Sequence, residues 1–394
     1  MFKCDPDLLK WLIEIRRDFH MHPEIAFHEV RTTDRIVETL QDLGVEVTRF
    51  PDMTGAVGII RGGRKGPCIG LRADIDALPI KELNDVPYAS KNEGVMHACG
   101  HDAHATILLG VARTLMASES VSEMPGVVKL FFQPAEERVS GARAMIDRGV
   151  LQNPTVERVI ACHMGPDLSA GQAGITKGRG YASSDRFTLT ITGKGAHGGK
   201  PDEGIDPIVA GASFVMQVQS IVGRNIKPTD TAVITVGKFV GGDVPNAIPE
   251  SVILDGTIRA LSDETQSFLI QRLREVAAGI EKIFRVICDF DIQEGVPGCC
   301  NDEGVAESLL KASGSVLDEE NIFSLIPSTG AEDFAYFSMA CPSAIMRLGC
   351  SNASKGILSP LHSPHFDIDE TVLEMGVNIF IKAIGTFLKM STPG

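Results

Sequence analysis

The order of the secondary-structure patterns constrains the fold of this chain more than any other feature. Up to residue 183, buried-strand patterns alternate with helical spacing, at 55–60, 68–73, 103–116, 127–132 and 158–162. Strands that alternate with helices predict a doubly wound α/β domain, in which helices cover both faces of the sheet. In such a sheet, functional side chains collect at the carboxyl ends of the strands.

The pattern changes near residue 184 and changes back near residue 295. The segment between alternates with period two at 185–192. It then gives a helix at 205–222, strands at 231–240 and 251–260, a helix at 264–283 and a strand at 285–291. This β-α-β-β-α-β order is typical of the ferredoxin-like fold, a four-stranded antiparallel sheet with two helices on one face. We therefore expect two domains, with 184–294 inserted into an α/β domain made of 1–183 and 295–394.

Charge and hydropathy exclude two classes of partner. Lys and Arg number 37 against 51 Asp and Glu, a formal charge of −14, and so acidic a surface repels the phosphates of nucleic acids. No apolar run approaches the ~18–20 residues of a membrane span, so we expect no membrane partner. The nine cysteines are odd in number and scattered, which indicates reduced thiols and a cytoplasmic location.

The densest group of metal-binding residue types is the sequence HACGHDAH at 97–104. Cys99 and His101 flank a glycine just before a predicted helix, and this placement lets both side chains converge. Thiolate and imidazole ligands suit zinc and its first-row neighbours. A buried cysteine among surface histidines, or Cys99 as a nucleophile, is the alternative for this segment taken alone.

Two adjacent glutamates, Glu136 and Glu137, follow the strand pattern at 127–132 in the sequence FQPAEE. Neighbouring carboxylates are not easily buried and ionised together unless a cation offsets their repulsion. One carboxylate can then bind a metal while the other accepts a proton from a water that the metal activates. Two solvated glutamates at the start of a helix are the alternative.

The roles of four further residues are ambiguous when each residue is considered alone. His163 follows a strand pattern and His362 lies in the sequence LHSPH, and each alone is consistent with an ordinary loop or core histidine. Asp74 and Asp76, in RADIDALP, can either orient a metal-bound imidazole or cap a turn.

Taken together and in order, the motifs resemble those of the metal-dependent M20 peptidase/amidohydrolase family. The resemblance points to its branch of N-acyl-amino-acid amidohydrolases, hippurate hydrolases and auxin-conjugate hydrolases. It runs nearly end to end, through RRDFHMHPEIAFHE, RADIDALP, MHACGHDAH, FFQPAEE, GAHGGKPDEGIDPI, VPNAIPE, GTIR, GAEDFAYF and LHSPHFDIDE. It implies a metal-binding catalytic domain at 1–183 and 295–394, and an inserted lid and dimerisation domain at 184–294.

The resemblance also implies a metal site. Its ligands, around two divalent ions of Zn, Mn, Co or Ni, are Cys99, His101, Glu137, His163 and His362. A bridging thiolate at Cys99 matches the amidohydrolase branch, whereas most other M20 enzymes have an Asp there. The wider family's His-x-Asp-x-x-Pro motif has Asp74 in the His position and keeps the orienting Asp as Asp76. The role of Asp74 is therefore open.

Four other residues receive roles by the same resemblance. Glu136 corresponds to the general base, which accepts a proton from water and delivers it to the leaving amine. His197, in GAHGG, corresponds to the lid histidine that stabilises the tetrahedral oxyanion. Asn246 and Arg259 correspond to the residues that bind the α-carboxylate of the substrate. Without the resemblance, the sequence around Arg259 is consistent with an ordinary surface arginine.

The activity implied is hydrolysis of an N-acyl amino acid, a small-molecule substrate, to a carboxylic acid and a free amino acid. Two alternatives are a di- or tripeptidase of the same family and a catalytically silent relative that only binds acyl-amino acids. Cys99 argues against the first, and the intact Glu136 with its full ligand set argues against the second. We expect a homodimer or a higher homo-oligomer through the lid, in which His197 serves either its own site or that of the partner subunit.

Overall fold

The computed structural model describes residues 7–390. The chain divides into a larger unit, Met1–Gly178 with Cys300–Ile326 and Asp333–Gly394, and a smaller unit, Arg179–Cys299 with Pro327–Glu332. The assignment of catalysis to one part and of a lid to the other stays a prediction.

The helices, in chain order, are α1 (Leu8–Met21), α2 (Val30–Asp42), α3 (His101–Met116), α4 (Gly141–Asp147), α5 (Pro207–Asn225), α6 (Asp263–Phe284), α7 (Glu303–Ser313), α8 (Ala335–Ala340) and α9 (Val372–Met390). Within residues 7–390, none of these helices has the length and apolar character needed to cross a membrane.

The strands, in chain order, are β1 (Glu46–Arg49), β2 (Ala56–Arg61), β3 (Arg64–Asp74), β4 (Pro125–Gln133), β5 (Val156–Ser169), β6 (Ala173–Ile175), β7 (Gly178–Tyr181), β8 (Ser184–Thr192), β9 (Ala196–His197), β10 (Ala232–Val240), β11 (Ala247–Ile248), β12 (Ser251–Ala260), β13 (Ile287–Val296), β14 (Cys299–Asn301), β15 (Ile322–Ser324) and β16 (Ser343–Ser351). Of these, β7 and β14 form a two-stranded sheet.

The larger unit is built on a mixed eight-stranded sheet in the order β1-β2-β4-β3-β5-β16-β6-β15. Its centre is parallel, because β3 pairs in parallel with both β4 and β5, and β5 pairs in parallel with β16. The carboxyl ends of β3 and β4 therefore meet at one edge of the sheet, with Asp74 directly beside Gln133 in the register.

Helices cover both faces of this sheet, as the alternating pattern predicts. Alternate residues of a strand point to opposite faces. Leu130 and Phe132 of β4 lie in the core that α1, α3 and α9 build. The intervening Phe131 stacks on Phe337 of α8, with ring centroids 5.6 Å apart. The α/β fold inferred from the sequence is confirmed.

The smaller unit contains a four-stranded antiparallel sheet in the order β10-β12-β8-β13. The period-two pattern of β8 buries Phe187, Leu189 and Ile191 against α5 and α6. Helix α5 begins at Pro207 because Asp206 accepts the Ile208 N–H at 2.8 Å as its N-cap. A short pair, β9 with β11, lies outside the main sheet.

Candidate active site

Cys99 and His101 lie on a tight turn at the start of α3, in the larger unit. The residue between them, Gly100, has a φ of +84°, and a Cβ there would lie 2.6 Å from Met164 Cγ. Only glycine meets both conditions without strain. The Cys99 and His101 side chains are both buried. Together with His163 on β5, they form a trio whose donor atoms lie within 4.8 Å of one another.

A second trio shares the same thiol. Donor atoms of Cys99, Glu137 and His362 also lie within 4.8 Å of one another, and His362 Nε2 is 3.4 Å from Glu137 Oε1. The backbone N–H of His362 donates to the Ala98 oxygen at 2.7 Å, which ties its loop to the Cys99 turn. His362 has a φ of +63°, so this contact supports a conformation that a non-glycine residue rarely adopts.

Hydrogen bonds to Nδ1 fix the orientation of two histidine rings, and His163 Nε2 lies 3.5 Å from Cys99 Sγ. His101 Nδ1 lies 2.9 Å from the Asp76 backbone oxygen, and His163 Nδ1 lies 2.8 Å from the Met164 backbone oxygen. A carbonyl oxygen only accepts, so the hydrogen resides on Nδ1 in both rings. His101 Nε2 is buried and has no hydrogen-bond partner among the described residues. Burial lowers the pKa of His101, but the nearby Asp74 and Cys99 more than offset this and raise it well above its ordinary value. A metal ion that binds Nε2 would therefore displace a proton from it.

The chemistry of the shared thiol also fits a cation. Burial raises the pKa of Cys99 well above its ordinary value, so the bare pocket favours the neutral thiol. A coordinating metal ion deprotonates a thiol, and thiolate with imidazole and carboxylate is a donor set typical of first-row divalent metals. The same burial argues against Cys99 as a nucleophile, because the thiolate is the reactive form.

Asp76 contacts both trios. Its Oδ1 lies 3.1 Å from His101 Nδ1, and its Oδ2 accepts the backbone N–H of Glu137 at 3.0 Å. Asp76 therefore contacts one residue of each trio, and its role as an orienting residue stays a prediction.

Asp74 lies beside His101, with its Oδ2 3.7 Å from His101 Nε2, and is also bound to Arg72 and His104. Its Oδ2 accepts from Arg72 Nη1 at 2.6 Å, and its Oδ1 lies 2.5 Å from His104 Nδ1. Burial alone would raise the pKa of Asp74, but Arg72 and the neighbouring histidines hold it well below its ordinary value. His104 Nε2 accepts the Met164 N–H at 2.8 Å, so both nitrogens of His104 are occupied. Donor atoms of Asp74, His101 and His104 also lie within 4.8 Å of one another, but a metal ion there would have to displace a hydrogen bond of His104.

Glu136 lies beside the trios. Its carboxylate and the donor atoms of His101 and Glu137 lie within 4.8 Å of one another. Glu136 is buried, and its Oε1 accepts the Asp333 backbone N–H at 3.4 Å. The two adjacent glutamates thus lie in one polar cluster, and their separate roles as base and ligand stay predictions.

The remaining candidates belong to the smaller unit. His197, in β9, is exposed, and its Nδ1 accepts the Gly199 N–H at 2.9 Å. Asn246 precedes β11, and its backbone oxygen accepts the Gly198 N–H at 2.8 Å. Arg259 is half-buried in β12. Their roles toward a substrate stay predictions.

A buried ion network behind His101 was missed in the sequence. Arg16 Nε donates to Asp102 Oδ2 at 2.9 Å, and His20 Nδ1 lies 2.7 Å from the same oxygen. One signal was available, because Arg16 falls between Leu12 and Phe19 on the buried face of α1. A charge in an apolar stripe indicates a buried partner.

Comparisons with known proteins agree with this geometry. The profile of Peptidase family M20/M25/M40 matches residues 70–386. The chain is 38% identical over 370 residues to an N-acetyl-L-cysteine deacetylase of Bacillus subtilis, covering 93% of this chain and 85% of that protein. It is 36% identical over 377 residues to the IAA-amino acid hydrolase ILR1-like 4 of Arabidopsis thaliana, covering 95% of this chain and 84% of that protein.

A solved structure extends the agreement to three dimensions. The Bacillus subtilis YXEP protein, described as a dinuclear metal binding peptidase from the M20 family, superposes with a TM-score of 0.86 at 32% identity. The match covers 98% of this chain and 99% of that one. The chain therefore belongs to Peptidase family M20/M25/M40 and is a hydrolase.

Proposed function

We propose that this chain is a metal-dependent amidohydrolase that cleaves the amide bond of N-acyl amino acids. The products are a carboxylic acid and a free amino acid. The observation that carries the proposal is the pair of donor trios that share the Cys99 thiol, with the Glu136 carboxylate beside them.

The two trios define which residues would hold two divalent ions. One ion would be held by Cys99, His101 and His163, and the other by Cys99, Glu137 and His362. When bound, such ions act as Lewis acids that activate water and polarise a carbonyl. Zn, Mn, Co and Ni all suit this mixed donor set, because selectivity among them depends on supply as well as on ligand type.

Glu136 is the proposed general base. It accepts a proton from the attacking water and later delivers it to the leaving nitrogen, so the departing group is a neutral amine. The Asp333 N–H occupies one Glu136 oxygen at 3.4 Å, a contact that helps to orient the carboxylate.

Three residues of the smaller unit are proposed to act on the substrate. His197 would donate a hydrogen bond to the oxyanion that develops on the carbonyl oxygen. Arg259 and Asn246 would bind the α-carboxylate, for which a planar guanidinium is suited. The smaller unit would then serve as a lid and as the dimerisation surface of a homodimer.

The names of relatives support this substrate class. The Bacillus subtilis relative is named for removing the acetyl group of N-acetyl-L-cysteine, and the Arabidopsis thaliana relative for hydrolysing IAA-amino acids. The YXEP structure is described as a peptidase, which keeps a di- or tripeptidase as the second candidate. The cysteines of the described part are free, which favours a cytoplasmic enzyme.

A substrate panel separates the candidates. Purified enzyme reconstituted with each of the four metals would be assayed on N-acetyl, N-benzoyl and longer N-acyl amino acids, and on di- and tripeptides. We expect the highest kcat/KM on an N-acyl amino acid. A higher value on peptides would favour the peptidase, and no cleavage at full metal loading would refute the proposal.

A further inference from the structure

The loop that carries Glu136, residues 133–141, is strained. Within this base loop, Ala135 and Val139 have φ values of +54° and +50°, a region that non-glycine residues rarely adopt. The loop also closes tightly on itself, since a Cβ on Gly141 would lie 1.6 Å from the Pro134 oxygen. Such backbone persists only where surrounding contacts over-determine it.

One set of contacts comes from Asp333. Its carboxylate accepts from Gln133 Nε2 at 2.8 and 3.0 Å and from the Ala142 N–H at 2.9 Å, at the two ends of the base loop. Arg72 Nη2 donates to the same carboxylate at 2.9 Å. The ends of the base loop are thereby held to a charged, fully buried pair.

The middle of the base loop is held by Glu29, the residue before α2. Glu29 Oε1 accepts the Ala135 N–H at 2.9 Å, and Glu29 Oε2 accepts from Thr54 Oγ1 at 2.5 Å. The Glu29 residue is 0% exposed. Burying a carboxyl group is costly, and no metal-binding role explains this one, because Glu29 belongs to neither donor trio.

We propose that Glu29 is a positioning residue that orients the general base through the Ala135 amide. Ala135 immediately precedes Glu136, so the bond from Glu29 holds the peptide unit from which the base projects. A displacement of about 1 Å in a reacting group can lower a rate by about 10²-fold. The inference rests on the proposed role of Glu136 as the base.

Three substitutions test the positioning role in the full, metal-loaded enzyme. Glu29→Met fills the space without an acceptor, and Glu29→Asp withdraws the carboxylate by one methylene. Both should lower kcat, by about 10- to 100-fold, with KM and metal content close to wild type. Glu29→Gln keeps an oxygen for the Ala135 N–H and an amide for Thr54, so its kcat should stay within a few fold of wild type.

A matched control removes a bond of the same type elsewhere in the larger unit. Asn301 is buried, and its Oδ1 accepts the Ile345 N–H at 2.9 Å. Asn301→Ala should lower thermal stability and leave kcat unchanged.

Wild-type kcat in both Glu29→Met and Glu29→Asp would overturn the positioning role. An equal loss in Glu29→Gln would also overturn it, because the Ala135 contact survives in that variant. Glu29→Asp keeps the test open if Glu29→Met does not fold. Glu136→Gln separates this inference from the proposed function: retained turnover there refutes the base itself, whereas lost turnover there with wild-type kcat in the Glu29 variants refutes only Glu29.

Discussion

His101 and Asp76 are joined twice: His101 Nδ1 lies 2.9 Å from the backbone oxygen of Asp76 and 3.1 Å from its Oδ1. These contacts place the hydrogen on Nδ1 and aim Nε2 at the Cys99 trio. The same carboxylate accepts the Glu137 N–H. One residue therefore contacts a proposed ligand in each of the two proposed metal positions.

Removing this carboxylate should weaken metal binding. Asp76→Ala should lower metal affinity about 10- to 100-fold, because the Glu137 N–H loses its acceptor and the His101 ring keeps only the backbone oxygen of residue 76 as a partner. Competition with a chromophoric chelator measures the affinity. Asp52→Ala, which removes an exposed carboxylate paired with Arg148, is the control and should bind metal as wild type does. An unchanged affinity in Asp76→Ala would contradict the orienting role.

Local patterns were sufficient for much of the fold. Strand β12 was predicted at 251–260 and is observed at Ser251–Ala260, and α6 was predicted at 264–283 and is observed at Asp263–Phe284. Both have clear periodicity, and α6 has Ser262 as its N-cap. Strand β16 was not predicted, since its apolar run is short and contains Arg347. Its conformation depends on pairing with β5, which no local pattern reveals.

The candidate site was also predictable from the sequence only in part. The types and spacing of Cys99, His101 and the two adjacent glutamates predict metal chemistry from the sequence alone. The supporting contacts could not be predicted, because they join residues far apart in the chain. Arg16 and Asp102 are 86 positions apart, and Glu29 and Ala135 are 106 apart. Only the tertiary fold makes such residues neighbours.

The two adjacent glutamates should respond differently to the same substitution. Glu136→Gln should lower kcat by about 10²- to 10⁴-fold with metal content unchanged, because it removes a proton acceptor and no ligand. Glu137→Gln should lower metal occupancy as well as turnover. Elemental analysis of the dialysed variants distinguishes them. An equal loss of metal in both would show that the roles are assigned wrongly.

Arg259 should discriminate between acid and amide substrates. In Arg259→Ala, kcat/KM for an N-acyl amino acid should fall roughly 10²-fold, because the α-carboxylate of the substrate loses its charged partner. This factor corresponds to a loss of about 3 kcal/mol in transition-state binding. The corresponding N-acyl amino acid amide should lose far less. Arg186→Ala, in the exposed part of the adjacent strand β8, is the control. Equal losses on both substrates would exclude Arg259 as the carboxylate anchor.

Glu29 should make stability depend on pH. Burial is the main cause that raises the pKa of Glu29 from 4.5 to about 7, and the nearby charge of Asp76 adds to it. Because the folded pKa is the higher one, the stabilisation is fully present below pH 4.5 and is lost as the pH rises through about 7. The loss is roughly 3 kcal/mol.

Comparison with Glu29→Gln isolates this titration from all others. The free energy of unfolding of wild type, relative to the variant, should decrease between about pH 4.5 and pH 8. Denaturant unfolding at a series of pH values measures the difference. A difference that does not vary with pH would show that Glu29 has an ordinary pKa in the folded chain.

The most direct test of the account is a metal titration of the stripped enzyme. Chelation should abolish cleavage of an N-acyl amino acid, and adding back one divalent metal should restore it, with occupancy by elemental analysis approaching two ions per chain. This follows from the two donor trios that share Cys99. Full turnover by enzyme shown to contain no metal would contradict the central claim.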